Sequence, residues 1–276
     1  MRNTRRDAVR IKNLDGFHSI VPYVMPKRTE AEVSITEHFD VTDLNGFMKA
    51  HNEANGTGFK LFHAICTAIA KTIYQRPKMN TFIAGRAFWQ RKDITLSFVV
   101  KRKFEDNSEE SLMFMKVLPE MNLELVSRMI LGDVQKVRTE NNNDLGKTME
   151  FVGKLPRFIL EILFFFIKRM EYHGIVPEAI TKGDPNYSTA LLANLGSIGA
   201  GAPYHHLSDY GTCSIMITIG TMHKENDRDI VDCTFTLDER IADGFYYAKS
   251  LKLTKFLLEH PDSLMQRMDA PVAIEL

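Results

Sequence analysis

Strand-like and helix-like patterns alternate along the whole chain, and this alternation restricts the fold more than any other feature of the sequence. Glu32 to Val41 reads EVSITEHFDV, with Val33, Ile35 and Phe39 on one side of an alternating run, the period of a half-buried strand. Thr42 or Asp43 then caps a helix with Leu44, Phe47, Met48 and His51 at helical spacing, ended by Gly56 and Gly58. Leu61, Ile65, Ala68, Ile69, Thr72 and Ile73 repeat the helical period until Pro77. Phe82 to Trp89 reads as a hairpin turned at Gly85, and Ile94 to Val100 continues the sheet. Leu112 to Leu118 is expected as a strand and Asn122 to Arg138 as a helix. The segments Ser188 to Leu192, Cys213 to Ile219 and Ile230 to Leu237 are strand-like, and Ala242 to Glu259 forms a last helix. The polar runs EDNSEES (Glu105 to Ser111) and TENNNDLG (Thr139 to Gly146) read as loops. No internal repeat interrupts the mixture. It predicts a single α/β domain over residues 1–276, a mixed sheet covered by helices.

Charge and composition then exclude several functions. The 276 residues carry 35 Lys+Arg against 35 Asp+Glu, a balance that offers no footprint for a phosphate backbone, so no nucleic-acid partner is expected. The three cysteines, Cys66, Cys213 and Cys233, form no CxxC pair, and buried inert thiols in a reducing compartment are expected. The basic start MRNTRRDAVR lacks the apolar region of a signal peptide, which favours a cytoplasmic location. The longest apolar run, Phe158 to Ile167, is too short for a spanning helix and contains Glu161.

Two segments carry chemistry. The first is Ala190-Leu-Leu-Ala193-Asn194-Leu195-Gly196, which runs on to Gly199 and then to Tyr204-His205-His206. The second is Asp238-Glu239-Arg240-Ile241-Ala242-Asp243-Gly244, followed by a helix and Leu257-Leu258-Glu259-His260-Pro261. Together with SIMITIG (Ser214 to Gly220), these resemble the catalytic domain of the dihydrolipoamide acyltransferases of 2-oxo acid dehydrogenase complexes, in the chloramphenicol acetyltransferase-like group. The family pattern is I-S-N-L-G, a glycine-ended strand, D-H-R-x-x-D-G and L-L-E-x-P. The N-terminal half follows the same order more loosely, through EVSITEHFDVTDL, Arg76-Pro77-Lys78-Met79-Asn80 and RKDITLSFVV. The resemblance implies a two-layer sandwich, a homotrimer with active-site channels between subunits, and acyl transfer from coenzyme A thioesters.

The departures from that pattern fall on the two reacting positions. Glu239 stands where the family's general-base histidine would be, and Ala193 where its oxyanion-stabilising serine would be. A carboxylate serves as base only when burial raises its pKa, and alanine has no proton to donate to an oxyanion. His205, His206 or Glu239 is therefore expected as base, with Asn194 and nearby backbone at the oxyanion. Asp243 is expected to support the fold, ion-paired to an arginine as the resemblance implies. The rival expectation is a non-catalytic oligomer that binds coenzyme A esters or scaffolds partners. Adjacent histidines with no third ligand predict no metal site. The sequence holds no lipoyl domain with its lysine site, so no covalently bound lipoate is expected and any lipoyl group would come from another chain. NLGSIG (Asn194 to Gly199) is read as a tight turn, not a phosphate loop.

The most individual feature is an apolar helical insertion at about 147–174. Only Pro156, Arg157 and Glu161 are not hydrophobic between Leu155 and Ile167. Burial against the sheet or a neighbouring subunit is expected; the alternative is peripheral contact with membrane or lipid through residues 152–170.

Overall fold

The structure is a computed structural model and describes residues 5–101, 110–139 and 152–275. The chain opens with β1 (Ala8–Arg10) and α1 (Gly16–Val24). It continues through β2 (Glu32–Asp40), α2 (Thr42–Asn55) and α3 (Leu61–Gln75). Next come β3 (Thr81–Ala84), β4 (Ala87–Arg91), β5 (Ile94–Lys101), β6 (Glu110–Val117) and α4 (Leu123–Thr139). α5 (Arg157–His173), β7 (Ala190–Asn194), β8 (Ile215–Ile219), β9 (His223–Glu225), β10 (Arg228–Asp238) and α6 (Gly244–Glu259) complete it.

Most strands join one sheet in the order β2-β10-β8-β7-β5-β6, with β9 beside β10. β7 runs parallel to both β5 and β8, and the remaining pairs are antiparallel, so the sheet is mixed as expected. A smaller sheet, β1-β4-β3, stands apart. The alternation in β10 separates its two faces. Cys233, Phe235 and Leu237 enter the core, where Phe235 meets Phe39 of β2 edge to face. Thr234 and Thr236 turn the other way and share hydroxyl hydrogen bonds of 2.9 Å with Thr36 and Ser34.

The helices cover the apolar face. α3 lies innermost, with every residue from His63 to Ile73 buried, and packs against α4, α6 and β5. Its core position explains why so few of its residues are charged. The hairpin expected at Gly85 is present: Gly85 and Arg86 both have φ of 58°, the left-handed conformation that a two-residue β3–β4 turn needs.

The expected loops EDNSEES and TENNNDLG lie almost wholly outside the described residues, as does the start of the apolar insertion. What is described of that insertion narrows the expectation of burial against the sheet or a neighbouring subunit. α5 is not buried against the sheet: of its residues only Ile167 and Glu171 are buried, and all four of its phenylalanines are exposed. One side of it, Leu160, Leu163, Ile167 and Glu171, packs on the fold. In its last turn the backbone of Tyr172 passes so close to Gly85 that a Cβ on Gly85 would lie 2.0 Å from the Tyr172 carbonyl oxygen. No helix among the described residues is long and apolar enough to cross a membrane.

Candidate functional site

The first motif sits at the C-terminal end of β7. Ala193 and Asn194 are half-buried and lie opposite Thr218 and Ile219 of β8. The chain then turns through a short 3-10 helix, Leu195–Ile198, where the Ser197 hydroxyl donates to the Asn194 carbonyl at 2.8 Å. Glycine is required next to Asn194-Leu195 because a Cβ on Gly196 would stand 2.3 Å from the carbonyl oxygen of Gly220. The two glycine-ended segments of the sequence are thus two backbones in contact.

The second motif sits where β10 runs out. Asp238 is fully buried and its carboxylate accepts from Nε and Nη2 of Arg240, both at 2.7 Å. Arg240 also donates to the Met25 carbonyl at 2.8 Å, and the Tyr247 hydroxyl donates to the Asp238 carbonyl. A second arginine, Arg28, approaches the same carboxylate at 3.7 Å and donates to the Ser208 carbonyl. The Nε of Arg28 is buried without a hydrogen-bond partner. Glu239 follows with its N–H on the Ala31 carbonyl at 2.9 Å and its side chain exposed. Asp243 caps α6 by accepting from the Tyr246 N–H at 2.8 Å, and this hydrogen bond holds its carboxyl below the usual range. The arginine pairing expected of Asp243 belongs to Asp238 instead, because Arg240 folds back two residues onto it. Asp243 supports the fold as a helix cap.

The histidine loop spans the polar face of the sheet from one motif to the other. Thr221, Thr234 and Thr218 hold the carbonyls of Ala200, Ala202 and Pro203 through their hydroxyls, at 2.9, 2.9 and 2.6 Å. Beyond the histidines, the Leu207 N–H donates to Glu32 Oε2 at 2.8 Å, and Asp209 accepts from Arg28 N–H at 2.7 Å. His205 and His206 are both exposed, their rings stacked with centroids 4.9 Å apart. The Nδ1 of His205 lies 2.9 Å from the His206 carbonyl, to which it donates.

These anchors define what is brought together. Glu32 pairs with Asp238 across the sheet, so the Leu207 hydrogen bond moors the histidine loop at the end where Glu239 lies. Ala193 and Asn194 lie at the other end. Asp238 stands beside Ser214 and Ala193 beside Thr218, and these four residue steps separate the motifs by about 13 Å along the strands, with the two spacings from β10 across β8 to β7 added sideways.

A cavity of about 320 Å³ opens beside Arg240. Arg28, Arg86, Lys168, Glu171 and Asp209 contribute to its wall. Burial raises the Glu171 carboxyl to about 7, against the opposing pull of the Arg28 and Arg5 charges. Neither Arg28 nor Glu171 stood out in the sequence, where a charged residue about to be buried looks like any other.

No protein-family model matches the chain. A lipoamide acyltransferase component of the branched-chain α-keto acid dehydrogenase complex of Bacillus subtilis is 25% identical over 229 residues. That match covers 81% of this chain and 45% of the relative, so the chain spans under half of that protein. A solved structure of a probable dihydrolipoamide acetyltransferase from Listeria monocytogenes superposes with a TM-score of 0.58 at 17% identity, covering 90% of this chain and 94% of that one. A chloramphenicol acetyltransferase gives a TM-score of 0.59 at 12% identity, covering 91% and 99%. The fold is chloramphenicol acetyltransferase-like. On that fold the chain resembles the dihydrolipoamide acyltransferase catalytic cores.

Proposed function

We propose that the chain is one domain of a homotrimeric acyltransferase that works in the cytoplasm. It moves an acyl group from a coenzyme A thioester to a small hydroxyl, amine or thiol acceptor. One observation carries this reading: Asn194 and Glu239 occupy opposite ends of β8, too far apart to meet within one subunit, on a fold shared with acetyltransferases. A neighbouring copy closes the gap by setting its Glu239 end against the Asn194 end of the first. In such a site Glu239, His205 or His206 takes the acceptor proton, and the acceptor attacks the thioester carbonyl. Asn194 and nearby backbone N–H groups hold the oxyanion, and collapse expels the coenzyme A thiolate, which receives the proton.

The test is coenzyme A release across a panel of acyl-CoA donors and small acceptors. Glu239→Gln, His205→Ala and His206→Ala then identify the base, which should lose about 10²-fold or more in kcat. Ala193→Ser restores a hydroxyl donor and should raise kcat by up to about 10²-fold. Ala193 itself favours a second reading, an oligomer that binds coenzyme A esters without turning them over. Tight ester binding with no release across the panel, and none after Ala193→Ser, would establish that reading.

A further inference from the structure

α5 presents two unlike sides. Ile167 and Glu171 are buried and Leu160 and Leu163 half-buried, so this side holds the helix to the molecule. On the opposite side Phe158, Ile162, Phe165 and Phe166 follow one another at i, i+4, i+7 and i+8, and Arg169 extends the row at i+11. Their exposures are 63%, 54%, 65% and 57%, values at which four large apolar side chains form a continuous bare stripe. Cations stand at both ends of the helix: Arg157 at the start, Lys168 and Arg169 near the finish, all exposed. The exposed carboxylate between them, Glu161, is engaged with Arg157 at 3.2 Å. The helix is 17 residues long, about 25 Å, and no helix of the described residues meets the requirement for spanning a membrane.

We propose that α5 lies flat in the surface of an anionic lipid bilayer. Phe158, Ile162, Phe165 and Phe166 enter the boundary between headgroups and acyl chains, and Arg157, Lys168 and Arg169 pair with lipid phosphates. The charge pattern selects this occupant over a second copy of the chain. A two-fold packing of the stripe on itself sets Arg157 of each helix toward Lys168 and Arg169 of the other, cation against cation. An anionic surface neutralises Lys168 and Arg169 and adds to the Glu161 carboxylate at Arg157, and phenylalanines beside basic residues suit the interfacial zone.

The test is co-sedimentation of the full chain with vesicles of phosphatidylcholine alone and with about 30% phosphatidylglycerol. Binding is expected to be at least about tenfold tighter to the anionic vesicles and to weaken as salt is raised. Phe165→Asp should cut it about tenfold, and Lys168→Ala with Arg169→Ala about twentyfold, with the circular dichroism spectrum unchanged. Should Phe165→Asp prove unstable, Phe165→Ser carries the same expectation. Absence of binding to anionic vesicles, or binding that ignores both sets of substitutions, overturns the proposal. So does an unmutated chain that binds no anionic vesicles together with a Phe165→Asp chain whose oligomeric mass falls, because α5 is then a subunit interface.

Discussion

Two buried side chains set opposite pH slopes on stability. Glu171 titrates near 7 in the folded chain because it is buried, whereas a carboxyl in the unfolded chain titrates near 4.3. Between these values the fold holds a proton that the unfolded chain has lost, so stability falls as pH rises through that window and stays reduced above it. His63 behaves in the opposite sense. Burial, with the Lys60 charge second, lowers it to about 4, while its Nδ1 meets the Ser127 hydroxyl at 2.8 Å. The unfolded chain protonates below about 6.5 and the folded chain does not, so stability falls as pH drops from there toward 4. Glu171→Gln should therefore stabilise the chain at pH 8, by up to about 3 kcal/mol, and much less at pH 5. Thermal melts at the two pH values measure this, and equal gains at both would refute it. His63→Gln should flatten the acid side of the profile instead.

Glycines at this scale separate by what surrounds them. Gly85→Ala and Gly196→Ala each force a methyl into a carbonyl oxygen, and each should cost at least about 2 kcal/mol in urea unfolding. Gly46, exposed inside α2 with nothing within 4 Å of an added Cβ, is the control. Gly46→Ala should stabilise by up to about 1 kcal/mol.

Among the elements, the junction of β10 and α6 is the most sensitive. Asp238 holds Arg240 bidentately and faces Arg28, all three buried. Asp238→Asn leaves two guanidinium groups without their counter-ion, at a cost of about 3–5 kcal/mol in denaturant unfolding. A loss under 1 kcal/mol would show that water replaces the carboxylate. The sequence announced the elements meeting here but not the cluster. The alternation of Cys233, Phe235 and Leu237 and the helical spacing after Gly244 are local patterns, legible wherever they occur. Arg28 reaches Asp238 only through tertiary folding, across a separation that no local period encodes. α5 was legible only as an apolar helix, for a related reason. Phe164, Phe165 and Phe166 make the helix look apolar on every side, and nothing local says that only one side packs on the fold. The turn at Gly85 was legible because its chemistry is contained in two residues. The candidate site was legible as two motifs, yet their distance depends on strand register, which pattern alone does not supply.

For the whole molecule, register has a consequence for inheritance and mixing. If each site takes Asn194 from one subunit and Glu239 from the next, two inactive chains can repair one another. An Asn194→Ala chain still offers an intact Glu239 end, and a Glu239→Gln chain still offers an intact Asn194 end. Unfolded together in equal amounts and refolded, they form trimers in which about a quarter of the boundaries draw both intact ends. Activity should return to about a quarter of the unmutated level in the mixture, while each chain refolded alone stays silent. Coenzyme A release before and after co-refolding reads this directly. A population of such chains would therefore carry two lesions that partly mask one another in company, because what is damaged belongs to a boundary and not to any one molecule.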